Sequence, residues 1–95
     1  MKQIKTPRKS YTVNVQFKCD KCGELHYALE SGLQYKAETP YEAACKAHEW
    51  LRGGGSYHDI WPMARRRDIV FRVKERGTPK GEGITLVEQT KFLNA

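Results

Sequence analysis

The run Tyr11-Thr12-Val13-Asn14-Val15-Gln16-Phe17-Lys18-Cys19 alternates apolar and polar side chains without a break. A period of two puts Tyr11, Val13, Val15, Phe17 and Cys19 on one face and Thr12, Asn14, Gln16 and Lys18 on the other, the pattern of a half-buried strand. The strand runs into Asp20-Lys21-Cys22-Gly23, a C-x-x-C turn closed by glycine. Beyond it Leu25, Tyr27 and Leu29 alternate again, so the two runs form a hairpin with both cysteines at its tip. Ser31-Gly32 marks a turn or bulge. Leu33, Tyr35 and Ala37 resume the pattern, as a third short strand or as the continuation of the second.

A helix follows, and three marks agree on its start. Thr39 can cap it, Pro40 suits the first helical position, and Glu42 completes a capping box. It runs to about Arg52, where Gly53-Gly54-Gly55 stops it. At 100° per residue, Tyr41, Ala44, Cys45, His48 and Leu51 share one stripe, predicted to face the core. Gly53 to Arg67 has no clear period and reads as a long loop, of the kind that often carries function. Asp68 to Arg76 reads as a strand with Ile69, Phe71 and Val73 inward and Arg72, Lys74 and Arg76 outward. Gly77 to Gly83 is a turn, and Ile84 to Phe92 is a last strand. The expected fold is α+β: an antiparallel sheet of four to five strands with one helix packed on a face. Met1 to Ser10 carries Lys2, Lys5, Arg8 and Lys9 around Pro7 and reads as a flexible basic arm, leaving residues 11–95 as one domain.

Ninety-five residues support a single domain with a thin core, and 39% hydrophobic content keeps that core thin. A chain of this kind gains much from a staple. The formal charge of +6 favours acidic partners such as nucleic acid or an acidic protein surface. No apolar run is long enough for a transmembrane helix, and the basic N-terminus lacks the apolar core of a signal peptide. Three cysteines without an export signal fit a reducing, cytoplasmic compartment in which thiols bind metal.

Cys19, Cys22, Cys45 and His48 make a candidate Cys₃His set for structural Zn²⁺, linking hairpin tip to helix. The C-x-x-C turn lets two thiolates reach one ion, and positions 45 and 48 lie one helical turn apart. Four protein ligands would close the site, giving a structural metal with no catalytic position. His26 competes with His48 as the fourth ligand. Its place opposite Leu25 and Tyr27 ranks it second. A redox C-x-x-C fits less well, because that chemistry wants the motif at the opening of a helix. Cys45 and His48 also read as plain core residues, a reading that leaves the C-x-x-C-G turn unexplained.

Arg65-Arg66-Arg67 beside Tyr57 and Trp61, extended by Arg72 and Lys74, combine guanidinium groups for phosphates with aromatic faces for bases. The same residue types anchor protein interfaces. A third reading folds Trp61, Pro62 and Met63 back as a lid while the arginines solvate it. His58-Asp59 has no nucleophile to serve once the thiols are committed to metal. No phosphate-cradling glycine loop follows a strand. The expectation is therefore a binding protein and not an enzyme, with no small-molecule substrate.

The Cys19-x-x-Cys22-Gly23 turn resembles the zinc knuckle of zinc-ribbon and treble-clef modules, which implies two further ligands from elsewhere in the chain. The hairpin, then Ala37-Glu38-Thr39-Pro40-Tyr41-Glu42-Ala43-Ala44 with Lys46-Ala47, then two more strands, resembles small phage-encoded inhibitors of the anti-CRISPR type. That resemblance implies a compact one-helix sheet that docks on a host protein or ribonucleoprotein complex in the host cytoplasm and blocks it without catalysis. The alternative expectation is a small zinc-containing module that binds DNA or RNA through its arginine and aromatic surface. A third is a zinc-stapled accessory of a larger assembly.

Overall fold

A computed structural model describes residues 9–29, 31–53 and 61–93, without the side chains of residues 61 and 62. Strand β1 (Lys9–Lys18) is the axis of the fold. β2 (Leu25–Tyr27) and β3 (Leu33–Ala37) both pair with it antiparallel along one edge, β2 with Gln16 to Lys18 and β3 with Lys9 to Val13. β4 (Ile69–Glu75) pairs antiparallel along the other edge, and β5 (Ile84–Glu88) pairs with β4. The five strands form one sheet.

β2 and β3 are thus two pieces of one interrupted strand. The interruption holds close to β1, because the amides of Ala28 and Leu29 both donate to the Val15 carbonyl, at 2.8 and 3.4 Å. Gly32 sits where the pairing resumes. A Cβ there would stand 2.9 Å from Thr12 Cγ2 and 3.2 Å from Asn14 Nδ2, so any larger residue would have to displace those side chains for the chain to press against β1.

The alternation seen in the sequence sorts the side chains as expected. Tyr11, Val13 and Val15 are buried, and opposite them Phe71 and Val73 of β4 and Val87 of β5 are buried on the same face. Helix α1 (Pro40–Gly53) crosses this face and adds Ala43, Ala44, Ala47 and Leu51. The three alanines let the helix lie close to Ile69 and Phe71 of β4, and the burial of these two and of the helix's own Leu51 contributes about 2 kcal/mol each relative to exposure. β3 and β4 run parallel to each other on either side of β1, and α1 forms the connection such a pair requires.

The helix start follows its sequence marks. The Glu42 amide donates to Thr39 Oγ1 at 3.1 Å, and the Glu42 carboxylate accepts from the Glu38 amide at 3.3 Å. The carboxylate therefore reaches one residue further back than a standard capping box. Tyr41, expected on the core stripe, is half exposed, with its ring 5.1 Å from that of Phe92.

Three expectations are corrected. Lys9 and Ser10, read as part of a flexible arm, belong to β1. Within the segment from Gly53 to Arg67, Trp61–Arg65 forms a 3-10 turn that packs on α1. The last strand ends at Glu88, and α2 (Thr90–Leu93) follows as one helical turn. Gln89 causes that break: its amide bonds the Ile69 carbonyl at 3.0 Å, and its carbonyl accepts from the Phe92 amide at 2.8 Å, starting the turn. Phe92 then packs against His48 and Phe71 instead of extending a ladder.

α1 and Phe92 pack against one face of the sheet; among the described residues the other face reaches solvent except at Gln16 and Val70, which are buried. No helix of the described residues is long and apolar enough to cross a membrane.

Candidate metal centre and open sheet face

The hairpin tip is a tight, backbone-bonded turn. The Gly23 amide donates to the Cys19 carbonyl at 2.8 Å, and the Cys19 amide donates to the Glu24 carbonyl at 2.9 Å. Gly23 closes the turn with φ of 74°, a left-handed conformation that costs glycine little. Across the tip, His26 pairs with Phe17, so its ring lies on the same side as Phe17, 5.7 Å from it. That parity separates His26 from Leu25 and Tyr27, as the sequence predicts, and it brings the imidazole to the thiols.

The ligand atoms of Cys19, Cys22 and His26 all lie within 4.8 Å of one another, and Cys22 Sγ is 3.0 Å from His26 Nε2. Two thiols and one imidazole at these spacings can hold a metal ion. The Cys19 thiol is held below its usual pKa, first by the Cys22 backbone amide, then by the Cys22 thiol and the Lys21 amide, with the Asp20 carboxylate opposing. Backbone N–H groups aimed at a sulfur favour the thiolate, the form that binds metal.

Cys45 and His48 stand apart from this cluster, and the expected Cys₃His set is not the one brought together. The Cys45 thiol is pushed up by burial, and then by Glu49 and Glu42, so it holds its proton. His48 is buried against Phe71 and stacked on Phe92 at 5.3 Å. Its Nδ1 lies 2.9 Å from Gln89 Oε1. Gln89 Nε2 donates to the carbonyls of Met63 and Arg66, at 2.8 and 2.6 Å, which fixes Oε1 as the acceptor and His48 Nδ1 as the donor. The helix stripe predicts this core position for His48. It does not reveal that Gln89 occupies the histidine.

The arginine run is divided. Arg66 makes a two-point ion pair with Asp68, at 2.9 and 2.5 Å, and lies over the Phe17 ring at 5.3 Å. Arg66 is therefore drawn into structure on the helix side, and it does not extend the strip of Arg72 and Lys74. Arg65 and Arg67 are exposed beside it. Tyr57 and the side chain of Trp61 lie outside the described residues.

The second candidate surface is the open face of the sheet. Register places Gln16 beside Tyr27, Val70 and Glu88; Asn14 beside Arg72 and Leu86; and Thr12 beside Gln34, Lys74 and Ile84. Ser10 and Lys36 continue the row, next to Arg76, whose guanidinium bonds Gln34 Oε1 at 3.4 Å. Tyr27 is 59% and Leu86 55% exposed on this face. Sequence alone does not single out Tyr27 and Leu86, because alternation marks a face as apolar without showing whether anything covers it. At its hairpin end the face carries a hollow bounded by Leu25, Val70 and Leu86, with Lys18, Glu88 and Cys19 around it.

No protein-family model, curated protein or solved structure matches the chain.

Proposed function

We propose that this protein is a non-enzymatic binding module that holds single-stranded nucleic acid on the open face of its sheet. The observation that carries this reading is the exposed pair Tyr27 and Leu86 set among Lys18, Lys36, Arg72, Lys74 and Arg76 on a face without a covering element among the described residues. Single-strand binders combine a cationic track for phosphates with flat side chains on which bases stack. The formal charge of +6 acts in the same direction. The side chains that matter are Arg72 and Lys74 on β4, at the middle of the sheet, with Tyr27 and Leu86 on the strands that flank the β1–β4 pair.

Cys19, Cys22 and His26 are the proposed ligands of one Zn²⁺, with two thiolates and an imidazole. The ion fixes the hairpin tip, and one tetrahedral position is left to a ligand other than these three. The chemistry supplied is structural: closure of a turn that ends the open face.

Binding of a labelled single-stranded oligonucleotide across a salt series tests the reading. Affinity should fall steeply with salt. Arg72→Ala with Lys74→Ala should flatten the slope by about one unit for each phosphate that is no longer neutralised. Absence of binding at low salt overturns the reading. A second reading, a phage-type inhibitor docked on a host complex, is favoured by the same exposed tyrosine and arginine, which are common protein-interface anchors. It gains if the protein co-purifies with one complex and has no affinity for free nucleic acid.

A further inference from the structure

The hollow at the hairpin end of the open face differs from the rest of the cationic track, and its chemistry is specific. Its apolar part is Leu25, Val70 and Leu86. Val70 is buried, although it points away from the helix-covered core. Lys18 and Glu88 meet across it as an ion pair from β1 and β5, with β4 between them. Both side chains remain about half exposed, at 56% and 48%. An exposed pair of this kind holds weakly, so both heads can turn to a ligand. Beside Val70 and Glu88 in the same row stands Gln16, 6% exposed, and its Oε1 has no hydrogen-bond partner. A buried acceptor without a donor is costly unless a ligand supplies one.

We infer that this hollow takes an unpaired guanine base, with Glu88 and Lys18 reading its edge. The inference rests on the single-strand reading above and adds the base it prefers. The apolar walls, Leu25, Val70 and Leu86, suit the apolar face of a base. Guanine presents two adjacent donors, N1–H and the N2 amino group, next to the O6 acceptor. A carboxylate accepts from both donors at once, and an ammonium donates to O6 or N7. Adenine and cytosine each offer one amino group beside a ring-nitrogen acceptor, which repels a carboxylate. Uracil offers a single N–H between two carbonyls. Lys18 holds the Glu88 carboxyl below its usual pKa, so it remains an acceptor.

The test is fluorescence anisotropy with short oligouridines that carry one central guanine, adenine, cytosine or uracil. The central guanine should bind about tenfold more tightly than the other three. Glu88→Gln should erase most of that preference, since the amide offers one acceptor where the carboxylate offers two. Equal affinity for all four strands overturns the guanine inference and leaves the sheet-face reading standing. Guanine preference that survives Glu88→Gln also overturns it. Failure of every strand to bind overturns both.

Discussion

Gln89 Oε1 accepts a hydrogen bond from His48 Nδ1 at 2.9 Å, across 41 residues of sequence. Gln89 is fully buried and His48 nearly so. Through Gln89 the helix, the 3-10 turn and the end of β5 are tied at one point, since its amide group also serves the carbonyls of Met63 and Arg66. Gln89→Leu takes the Gln89 partner from buried His48 Nδ1 and from the part-buried Arg66 carbonyl, while the Met63 carbonyl keeps the Arg66 amide. At about 1 kcal/mol for each of the first two, the variant should lose about 2 kcal/mol in urea unfolding. A loss within about 0.5 kcal/mol of zero would mean that the network does not hold the fold.

The metal set divides the three cysteines. Cys22→Ser and His26→Ala should each abolish stoichiometric zinc in purified protein, measured by elemental analysis. Cys45→Ser should leave it unchanged. Zinc absent from Cys45→Ser and kept in His26→Ala would restore the clamp between hairpin tip and helix.

Cys19 lies both in the metal cluster and beside the hollow of the open face. Zinc removal should therefore weaken oligonucleotide binding while the far-ultraviolet circular dichroism of the sheet and helix persists. The melting temperature should fall by about 5 °C, the shift expected for roughly 1 kcal/mol in a domain of this size. Complete unfolding on chelation would show that the metal supports the whole core and not the tip alone.

The Asp68 carboxyl is held below its usual pKa, first by its hydrogen bonds from Arg66. A carboxyl with a depressed folded pKa contributes stability that is fully present above its unfolded pKa and is lost as pH falls through the folded value. The pair is largely exposed, so its contribution is at most about 1 kcal/mol. Asp68→Asn should lower the melting temperature at neutral pH, and the gap to wild type should close in acid, below about pH 4. A gap that stays constant with pH would show that the effect is not this ion pair.

Much of the fold is legible in the sequence. The unbroken alternation from Tyr11 to Phe17 specifies β1, and Thr39, Pro40 and Glu42 fix the helix start. The stretch of β2 and β3 reads equally as one strand or two, because Gly32 marks an interruption without saying that both pieces share an edge of β1. The site is half legible. The C-x-x-C-G turn names two ligands that do lie together, but the helix stripe draws the choice of histidine to His48. A stripe fixes direction toward the core and says nothing of distance to the hairpin tip, whereas His26, four residues after Cys22 in the returning strand, is brought back by the turn itself. Gln89 gives no signal, since a lone glutamine after a strand is normally solvated.

A residue-resolved NMR titration with a single-stranded oligonucleotide probes the open face itself. Shift changes are expected at Thr12, Asn14, Gln16, Lys18, Tyr27, Arg72, Lys74 and Leu86, with Ala43, Ala47 and Leu51 on the helix unmoved. Changes centred on the helix and the exposed Arg65 and Arg67, with a silent open face, would contradict nucleic-acid binding on the sheet.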